Sequence, residues 1–191
     1  MFPSAGGAGQ GMRCLDRGLV AWITGLPGSG KTTIAMRASD ILRSKGYRVE
    51  VLDGDWFRSA IDPEAGFTKE ERARHLRRAA WVARLLARNG VIVICSFVSP
   101  YRDVREEVRR IVSEDVPFLE VYAKCPLDEC IRRDPKGLYR KALEGKIANF
   151  TGISDPYEEP ERPDLVLDTV ARDPDSNARA LVEAIEAAIQ R

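Results

Sequence analysis

Gly25-Leu26-Pro27-Gly28-Ser29-Gly30-Lys31-Thr32 is the stretch of sequence that decides the fold. It follows an apolar run at residues 19–24 and precedes a segment with helical periodicity. In this context the pattern G-x-x-x-x-G-K-[ST] is typical of a phosphate-binding loop, or P-loop. Its glycines let backbone N–H groups surround phosphates, and the N-terminus of the following helix adds a positive dipole. The sequence therefore predicts a loop that binds the phosphates of a nucleotide.

Short apolar runs alternate with longer helical segments along the rest of the chain. The predicted strands are residues 19–24, 48–52, 91–97, 118–123 and 165–167, and the predicted helices are residues 31–45, 69–89, 101–113, 127–132 and 175–189. Several strands are apolar on both faces, and the connections are long enough for crossover helices. This pattern predicts an α/β fold, a three-layer sandwich of the P-loop nucleoside triphosphate hydrolase type with a mainly parallel five-stranded sheet.

The 191 residues have room for one domain. Residues 18–191 are predicted to form a single P-loop kinase domain, and the Gly-rich residues 1–17 are expected to be a disordered lead-in. From about residue 132 to 163 the sequence turns polar, basic and then Pro-rich, without clear apolar periodicity. This segment is predicted to be a mobile lid across the carboxyl edge of the sheet.

Composition excludes several classes of partner. Thirty Lys and Arg against 29 Asp and Glu give a net charge of +1, which predicts neither nucleic-acid nor membrane binding. No apolar run has the length of a membrane span and no secretory signal is visible, so a cytoplasmic protein is expected. Cys14, Cys95, Cys125 and Cys130 lack zinc-ligand spacing and are expected to be reduced and mostly buried. A redox pair of Cys125 and Cys130 is conceivable, but their offset matches no redox motif.

The P-loop residues have separate predicted roles. Lys31 adds positive charge to the phosphates, Thr32 can supply a hydroxyl to Mg²⁺, and Thr33 can reach the α-phosphate. The loop alone does not separate a kinase from an NTPase switch or motor, but a compact chain without an obvious second NTPase signature favours a small-molecule kinase. The predicted contacts to ATP in the loop are Gly25, Leu26, Pro27, Gly28, Ser29, Gly30, Lys31, Thr32 and Thr33.

Two carboxylates and an arginine follow the second predicted strand, at Asp53, Asp55 and Arg58. Ligands bind at the carboxyl ends of strands in such sheets. Asp55 could accept the proton of an acceptor hydroxyl or orient Mg²⁺ through water, with Asp53 fixing that geometry, and Arg58 could hold an anionic acceptor. The third predicted strand ends in Ser96 rather than the usual Walker B carboxylate, so Asp53 or Asp55 must serve the metal. The alternative interpretation is an exposed acidic turn.

Phe67 and Arg72 lie five residues apart and could hold a flat anionic ligand by stacking and charge. For Phe67 taken alone, core packing is the default interpretation. His75 is the only histidine in the sequence and is interpreted as a polar residue on a helix surface. Arg77 and Arg78 are expected to be solvated or ion-paired.

Six stretches, taken together, resemble those of the adenylylsulfate kinases, which phosphorylate adenosine 5′-phosphosulfate on its 3′-hydroxyl. The resemblance covers residue 18 to about residue 169. The matching stretches are residues 25–33, residues 52–55 with Arg58, residues 66–67 with Arg72, and residues 96–102, 133–139 and 149–157.

The resemblance implies a nucleotide acceptor. Its adenine would lie between Phe67 and Phe150, its phosphosulfate would contact Arg58 and Arg72, and Lys136 in the lid would neutralise phosphate charge. The resemblance also places the adenine of ATP near Arg133. Further residues that it implies at the acceptor are Asp53, Asp55, His75, Val98, Ser99 and Leu138.

Two positions depart from the pattern of this family. His75 stands where the family usually has asparagine, three residues after the arginine that holds the acceptor, so one polar contact to the acceptor is expected to change. Pro27 stands where serine or threonine is common, which stiffens the loop without removing a needed side chain.

The reaction expected from these residues is in-line transfer of the γ-phosphoryl group of ATP to the 3′-hydroxyl, giving 3′-phosphoadenosine 5′-phosphosulfate and ADP. Lys31, Lys136 and Asp55 are the expected catalytic residues, and Thr32 and Asp55 the expected contacts to Mg²⁺. The resemblance suggests a homodimer, and a separate ATP sulfurylase would make the substrate. The rival interpretations are a kinase for another small hydroxyl acceptor and a nucleotide-binding module without catalysis.

Overall fold

A parallel sheet of five strands lies at the centre of the structure, a computed structural model that describes residues 11–190. Within these residues the strands are β1 Leu19–Thr24, β2 Val49–Asp53, β3 Ile92–Ser96, β4 Phe118–Lys124 and β5 Leu165–Asp168. The helices are α1 Lys31–Ser44, α2 Gly54–Ala60, α3 Lys69–Arg88, α4 Arg102–Ser113, α5 Leu127–Arg133, α6 Leu138–Leu143 and α7 Pro174–Ile189. The strand order is β2-β3-β1-β4-β5, and every pairing is parallel.

Strand β1 is buried along its whole length because both faces of the sheet are covered. Successive side chains of a strand point to opposite faces. Val20 and Trp22 pack in one apolar cluster with α3 and α4, whereas Leu19, Ala21 and Ile23 pack in a second cluster with α1 and α7. The predicted three-layer sandwich with a five-stranded sheet is confirmed, and all its strands are parallel.

The register of the strands sets the position of the site. Ser96 at the end of β3 pairs with Asp53 at the end of β2 on one side and with Ile23 of β1 on the other. The loop after β1 therefore begins beside the carboxyl ends of β2 and β3. Because β1 and β2 both border β3, the P-loop and the first acidic residues after β2 lie at the same edge of the sheet.

The ten predicted strands and helices are confirmed with shifts of at most one residue at their ends, but two short helices were not predicted. Helix α2 has seven residues, and Asp53 caps it by accepting hydrogen bonds from the N–H groups of Asp55 and Trp56. Helix α6 has six residues and follows Gly137, whose φ of 65° is in the left-handed region. Both are too short to show a helical period in the sequence.

The last residues of the predicted disordered segment 1–17 are packed against the rest of the protein. Residues 1–10 of the predicted disordered segment 1–17 lie outside the described residues. Arg13 pairs with Tyr47 in an isolated parallel bridge and donates from its guanidinium to the Tyr47 hydroxyl at 2.9 Å. Leu15 packs against the second apolar cluster. The packed part of the chain therefore begins before Gly18.

The segment 132–163 is not purely polar, which the sequence pattern did not reveal. It contains α6 and contributes Tyr139, Ala142 and Phe150 to a third buried apolar cluster, together with Leu26 of the P-loop. Its mobility stays a prediction.

The described cysteines are all free, and Cys95, Cys125 and Cys130 are buried as expected, whereas Cys14 is exposed. Among residues 11–190, no helix is both long and apolar enough to cross a membrane.

Candidate functional site

The P-loop has the conformation that its glycines were expected to allow. Gly28 and Gly30 have φ values of 75° and 94°, in the left-handed region that residues with a Cβ rarely adopt. Gly30 is the N-cap of α1, so the free N–H groups of the first turn of that helix point back toward the loop. Tyr139 of α6 fixes the loop from outside by donating from its hydroxyl to the carbonyl of Pro27 at 2.8 Å.

Lys31 is buried at the start of α1 and reaches back across the loop. Its Nζ donates to the carbonyls of Gly25 and Leu26 at 2.9 and 2.8 Å. Burial lowers the pKa of Lys31 to about 8, although the nearby carboxylates Asp53 and Asp55 counteract this effect. A phosphate bound in the loop would stabilise the ammonium and raise its pKa, because opposite charges favour the ionised form.

Thr32 lies beside Asp53 rather than Asp55. The Thr32 hydroxyl donates to the Asp53 carboxylate at 2.7 Å and lies 3.2 Å from the hydroxyl of Ser96. Within residues 11–190 no group of three or more His, Cys, Asp and Glu side chains is arranged to hold a metal ion. The oxygens of Thr32, Asp53 and Ser96 are nevertheless the hard ligands that Mg²⁺ prefers, and Mg²⁺ in such sites keeps waters and phosphate oxygens as its other ligands. These three residues therefore fit Mg²⁺ bound together with a nucleotide.

Asp55 lies on the first turn of α2 and forms an ion pair with Lys136 of the predicted lid. Both side chains are exposed, and the pair spans the opening between α2 and the turn before α6. That turn is held by Asp134, whose carboxylate accepts from the backbone N–H groups of Tyr139 and Arg140 at 3.0 and 3.1 Å. The structure thus brings two of the predicted catalytic residues, Asp55 and Lys136, into direct contact.

Arg72 lies over Phe67, as the sequence predicted, and Arg58 lies over the same ring. The guanidinium carbons of Arg72 and Arg58 lie 5.3 and 4.4 Å from the centre of the Phe67 ring. Arg72 also donates to the carbonyls of Phe67 and Asn149 at 2.9 and 2.7 Å. Partial burial lowers the pKa of both arginines, but guanidinium groups stay charged in proteins. Phe67 is 51% exposed, so core packing, the default interpretation for this residue alone, is wrong.

A cavity of about 240 Å³ connects these groups. Phe150 contributes to its wall and is itself buried, with its ring edge-on to that of Tyr139 at a centroid distance of 5.0 Å. The predicted site residues that line the cavity are Pro27, Gly28, Lys31, Thr32, Asp53, Asp55, Arg58, Phe67, Arg72, His75, Val98, Ser99, Lys136, Leu138 and Phe150. The phosphate side and the acceptor side of the predicted site are therefore one continuous space.

His75 is buried, and its interpretation as a helix-surface residue is wrong. Its Nδ1 lies 2.8 Å from Oδ2 of Asp62, a buried carboxylate that also pairs with Arg78. Burial raises the pKa of Asp62, but the hydrogen bond from His75 and the charge of Arg78 outweigh it, so the pKa is lowered overall. The pKa of His75 is lowered, mainly by burial. Asp62 was missed because nothing in the sequence around it indicates a partner.

Ser99 follows β3 with a φ of 47°, a conformation uncommon for a residue with a side chain. Its hydroxyl oxygen accepts from the Trp22 indole at 2.9 Å, and its carbonyl accepts from Arg105 at 2.7 Å. Arg105 is buried in α4 and also donates to the carbonyl of Glu158, beyond the centre of the predicted lid, at 2.7 Å. The backbone of the loop after β3 is therefore fixed where Val98 and Ser99 face the cavity.

Arg133 lies outside the acceptor cavity, on the other side of the P-loop. It pairs with Glu129 at 2.7 Å and donates to the carbonyl of Thr169 at 2.8 Å. Thr169 lies beside Gly30. Thr33 is exposed on the first turn of α1. Neither Arg133 nor Thr33 lines the acceptor cavity.

Comparisons with known proteins agree on one family. The family model described as adenylylsulphate kinase matches residues 17–168. A protein named probable adenylyl-sulfate kinase from Aeropyrum pernix is 63% identical over 179 residues, which cover 93% of this chain and 98% of that protein. An adenylyl-sulfate kinase from Halothermothrix orenii is 48% identical over 171 residues, which cover 90% of this chain and 91% of that protein. The solved structure of the Mycobacterium tuberculosis APS kinase in complex with AMPPNP and APS has a TM-score of 0.87 at 42% identity and covers 89% of this chain and 98% of that chain.

Proposed function

This chain belongs to the adenylylsulphate kinase family, and from that premise we propose that it phosphorylates adenosine 5′-phosphosulfate. The γ-phosphoryl group of ATP is transferred to the 3′-hydroxyl, and the products are 3′-phosphoadenosine 5′-phosphosulfate and ADP. The observation that carries the proposal is the single cavity with Lys31 and Thr32 at one end and Arg58, Arg72 and Phe67 at the other. A nucleotide with a doubly anionic end requires an aromatic surface and positive charges at the same place, and the second end of this cavity provides both.

The P-loop binds the phosphates of ATP. The N–H groups of the loop and of the first turn of α1 contact the β- and γ-phosphates, and Lys31 exchanges its contacts with loop carbonyls for contacts with phosphate oxygens. The adenine of ATP extends past Thr33 toward Arg133. Positioning and charge stabilisation of this kind supply most of the rate enhancement in phosphoryl transfer.

Asp55 is the residue proposed to orient the 3′-hydroxyl and to accept its proton. It lies on α2 next to the acceptor side of the cavity and forms an ion pair with Lys136. When substrates bind, the ammonium group of Lys136 leaves Asp55 and contacts the phosphate that is transferred. The same lysine then stabilises the developing charge of the transition state, and Asp55 becomes free to accept the proton.

Mg²⁺ is the cofactor that the proposal includes. Thr32 would contact it directly through its hydroxyl, and Asp53 would hold it through water, since these side chains already meet at 2.7 Å. Asp55 was the carboxylate expected at the metal, but the position of Asp53 against Thr32 favours Asp53 for that role. When bound, Mg²⁺ neutralises charge on the β- and γ-phosphates.

Opening of the segment 132–163 is also part of the proposal. The cavity of about 240 Å³ is smaller than the roughly 300–1,000 Å³ typical of small-molecule sites. Two contacts close it from the lid: the ion pair of Lys136 with Asp55 and the hydrogen bond from Arg72 to the carbonyl of Asn149. These contacts must separate when the acceptor enters, and closure over the bound acceptor would exclude water.

We further propose a homodimer, a cytoplasmic location and dependence on a separate ATP sulfurylase for substrate. Trp81 and Leu85 are about half exposed on α3, and an apolar pair of this kind is the first surface to test for contact between two copies. Light scattering of the purified protein measures its mass, and a change to monomer in Trp81→Arg would locate the interface. The buried free thiols suit a reducing compartment.

The experiment that tests the proposed function is a comparison of acceptors. The purified protein is incubated with Mg-ATP and adenosine 5′-phosphosulfate, AMP, adenosine or gluconate, and ADP release and product mass are followed. We expect ADP formation that depends on adenosine 5′-phosphosulfate alone. Preference for another acceptor would leave a P-loop kinase with a different substrate, and absence of turnover with every acceptor would favour a nucleotide-binding module.

A further inference from the structure

His75 is held in one orientation in the wall of the acceptor cavity. Its ring lies edge-on to Phe57 and Phe97, with centroid distances of 5.4 and 5.9 Å. Its Nδ1 lies 2.8 Å from Asp62, and Asp62 is fixed in turn by Arg78. A ring packed against two aromatic side chains and bonded at one nitrogen cannot turn freely, so the same edge of the ring faces the cavity.

Asp62 determines which nitrogen of the neutral ring carries the hydrogen. The pKa of Asp62 is lowered, so its carboxylate is ionised at neutral pH and can only accept hydrogen bonds. Nδ1 of His75 must therefore be the N–H donor, and Nε2 of the neutral ring has a lone pair. Nε2 makes no hydrogen bond with any residue from 11 to 190 and is not sealed from the cavity. A polar nitrogen without a partner thus lies at the place where the acceptor is proposed to bind.

Charged groups of three neighbouring elements act on this ring. Arg58 of α2 and Arg78 of α3 disfavour its protonation, whereas Asp62 in the segment between these helices favours it. Phe57 and Phe97 contribute no charge. Burial is the largest influence and lowers the pKa of His75 below its ordinary value, which favours the neutral ring. An anion in the cavity would reverse this balance, because a negative charge nearby favours the imidazolium.

We propose that His75 takes up a proton when adenosine 5′-phosphosulfate binds and donates a hydrogen bond from Nε2 to an anionic oxygen of the phosphosulfate. The inference rests on the proposed function. The proton comes from the solvent and forms an Nε2–H bond, while Nδ1–H stays hydrogen-bonded to Asp62. The imidazolium becomes a third positive group for the acceptor, beside Arg58 and Arg72. The asparagine usual in the family has an N–H donor at every pH, so histidine makes recognition of the acceptor depend on pH.

Proton uptake can be measured directly by calorimetry. Adenosine 5′-phosphosulfate is titrated at pH 7 into the protein saturated with Mg²⁺ and a non-hydrolysable ATP analogue, in buffers with different heats of ionisation. If the anion raises the pKa of His75, the acceptor should bind with uptake of a measurable fraction of a proton, and the observed heat should change linearly with the heat of ionisation of the buffer. Lys31, with a pKa of about 8 before nucleotide binds, is already mostly protonated at this pH and contributes little.

Two variants test whether the proton taken up on binding goes to His75. In His75→Gln the amide N–H can reach about the position of Nε2 but does not titrate, so the acceptor should bind with proton uptake close to zero. Arg77→Gln is the matched control, because Arg77 lies on the exposed side of the same helix and pairs with Glu107. The KM for adenosine 5′-phosphosulfate should rise by up to about tenfold per pH unit above neutral pH in the wild type and Arg77→Gln, but stay flat in His75→Gln. The KM for ATP should have the same pH profile in all three.

The outcomes separate this inference from the proposed function. Binding of adenosine 5′-phosphosulfate without proton uptake in the wild type would overturn the inference and leave the kinase activity standing. Equal uptake in His75→Gln and the wild type would also overturn it. Absence of binding and of ADP formation would overturn the proposed function and the inference with it. The wild-type titration needs no variant, so the test remains decisive if His75→Gln fails to fold.

Discussion

Replacement of Phe67 by alanine tests whether its half-exposed ring is a binding surface for the acceptor base. The ring is 51% exposed, and two guanidinium groups lie within 5.3 Å of its centre. Stacking of a base on an aromatic side chain contributes about 1–3 kcal/mol. Phe67→Ala should therefore raise the KM for adenosine 5′-phosphosulfate by about 5- to 150-fold. The KM for ATP should change by less than about twofold, because the P-loop is at the other end of the cavity.

Met36→Ala is the matched control for this variant. Met36 is 46% exposed on α1 and does not line the cavity. Loss of a half-buried apolar side chain should lower the free energy of unfolding by about 1 kcal/mol in both variants. Initial-rate kinetics with each substrate varied separately measure the two KM values. A rise of less than threefold for adenosine 5′-phosphosulfate, or an equal rise for ATP, would refute the assignment of Phe67 to the acceptor base.

Three further predictions address the transfer step and the P-loop. Asp55→Asn should lower kcat by about 100-fold or more with little change in the KM for ATP, and an unchanged kcat in steady-state assays would remove Asp55 from proton transfer. Thr32→Val should raise the Mg²⁺ concentration needed for half-maximal activity, measured by titration of Mg²⁺ at fixed ATP, whereas Thr33→Val should leave it unchanged. Lys31 has a pKa of about 8 in the folded protein, whereas its ordinary value is 10.5. Between these pH values the unfolded chain binds more protons than the folded protein. The free energy of unfolding should therefore rise with pH by up to about 3 kcal/mol relative to Lys31→Met. Urea unfolding of both proteins at pH 8, 9 and 10 measures the difference, and parallel curves would contradict it.

The central sheet could be predicted from the sequence because each strand corresponds to a short apolar run of residues. Leu19–Thr24 is apolar on both faces, and the P-loop after it requires a strand before and a helix after. The order of the strands also fits the pattern of an α/β fold. Helix α2 could not be predicted in this way, because it depends on one capping interaction by Asp53 and has no helical period.

The candidate site was predicted in outline from the sequence. The errors in that prediction share one physical cause. The spacing of Phe67 to Arg72 predicted that the two side chains meet, and they do, although a phenylalanine taken alone indicates a core. His75 and the Thr32–Asp53 contact depend on partners 13 and 21 residues away in the chain. Burial and hydrogen-bond partners over such separations arise from tertiary packing, and neither a residue type nor a local spacing reveals them.

The anchoring of Glu158 by Arg105 limits how the cavity can open. Glu158 also donates from its backbone N–H to the carbonyl of Pro100 at 2.8 Å, and the hydroxyl of Tyr157 lies 3.0 Å from that of Thr24 in β1. The end of the segment is thus attached to the rigid sheet, and its beginning is attached to the P-loop through Tyr139, whereas Lys136 crosses the cavity as an exposed side chain. Opening should therefore be confined to the turn around Lys136, which widens the entrance on the α2 side. A substrate that arrives there meets Lys136 and Arg58 before it reaches the aromatic ring, so long-range attraction of its negative charge would determine its orientation before the base is bound.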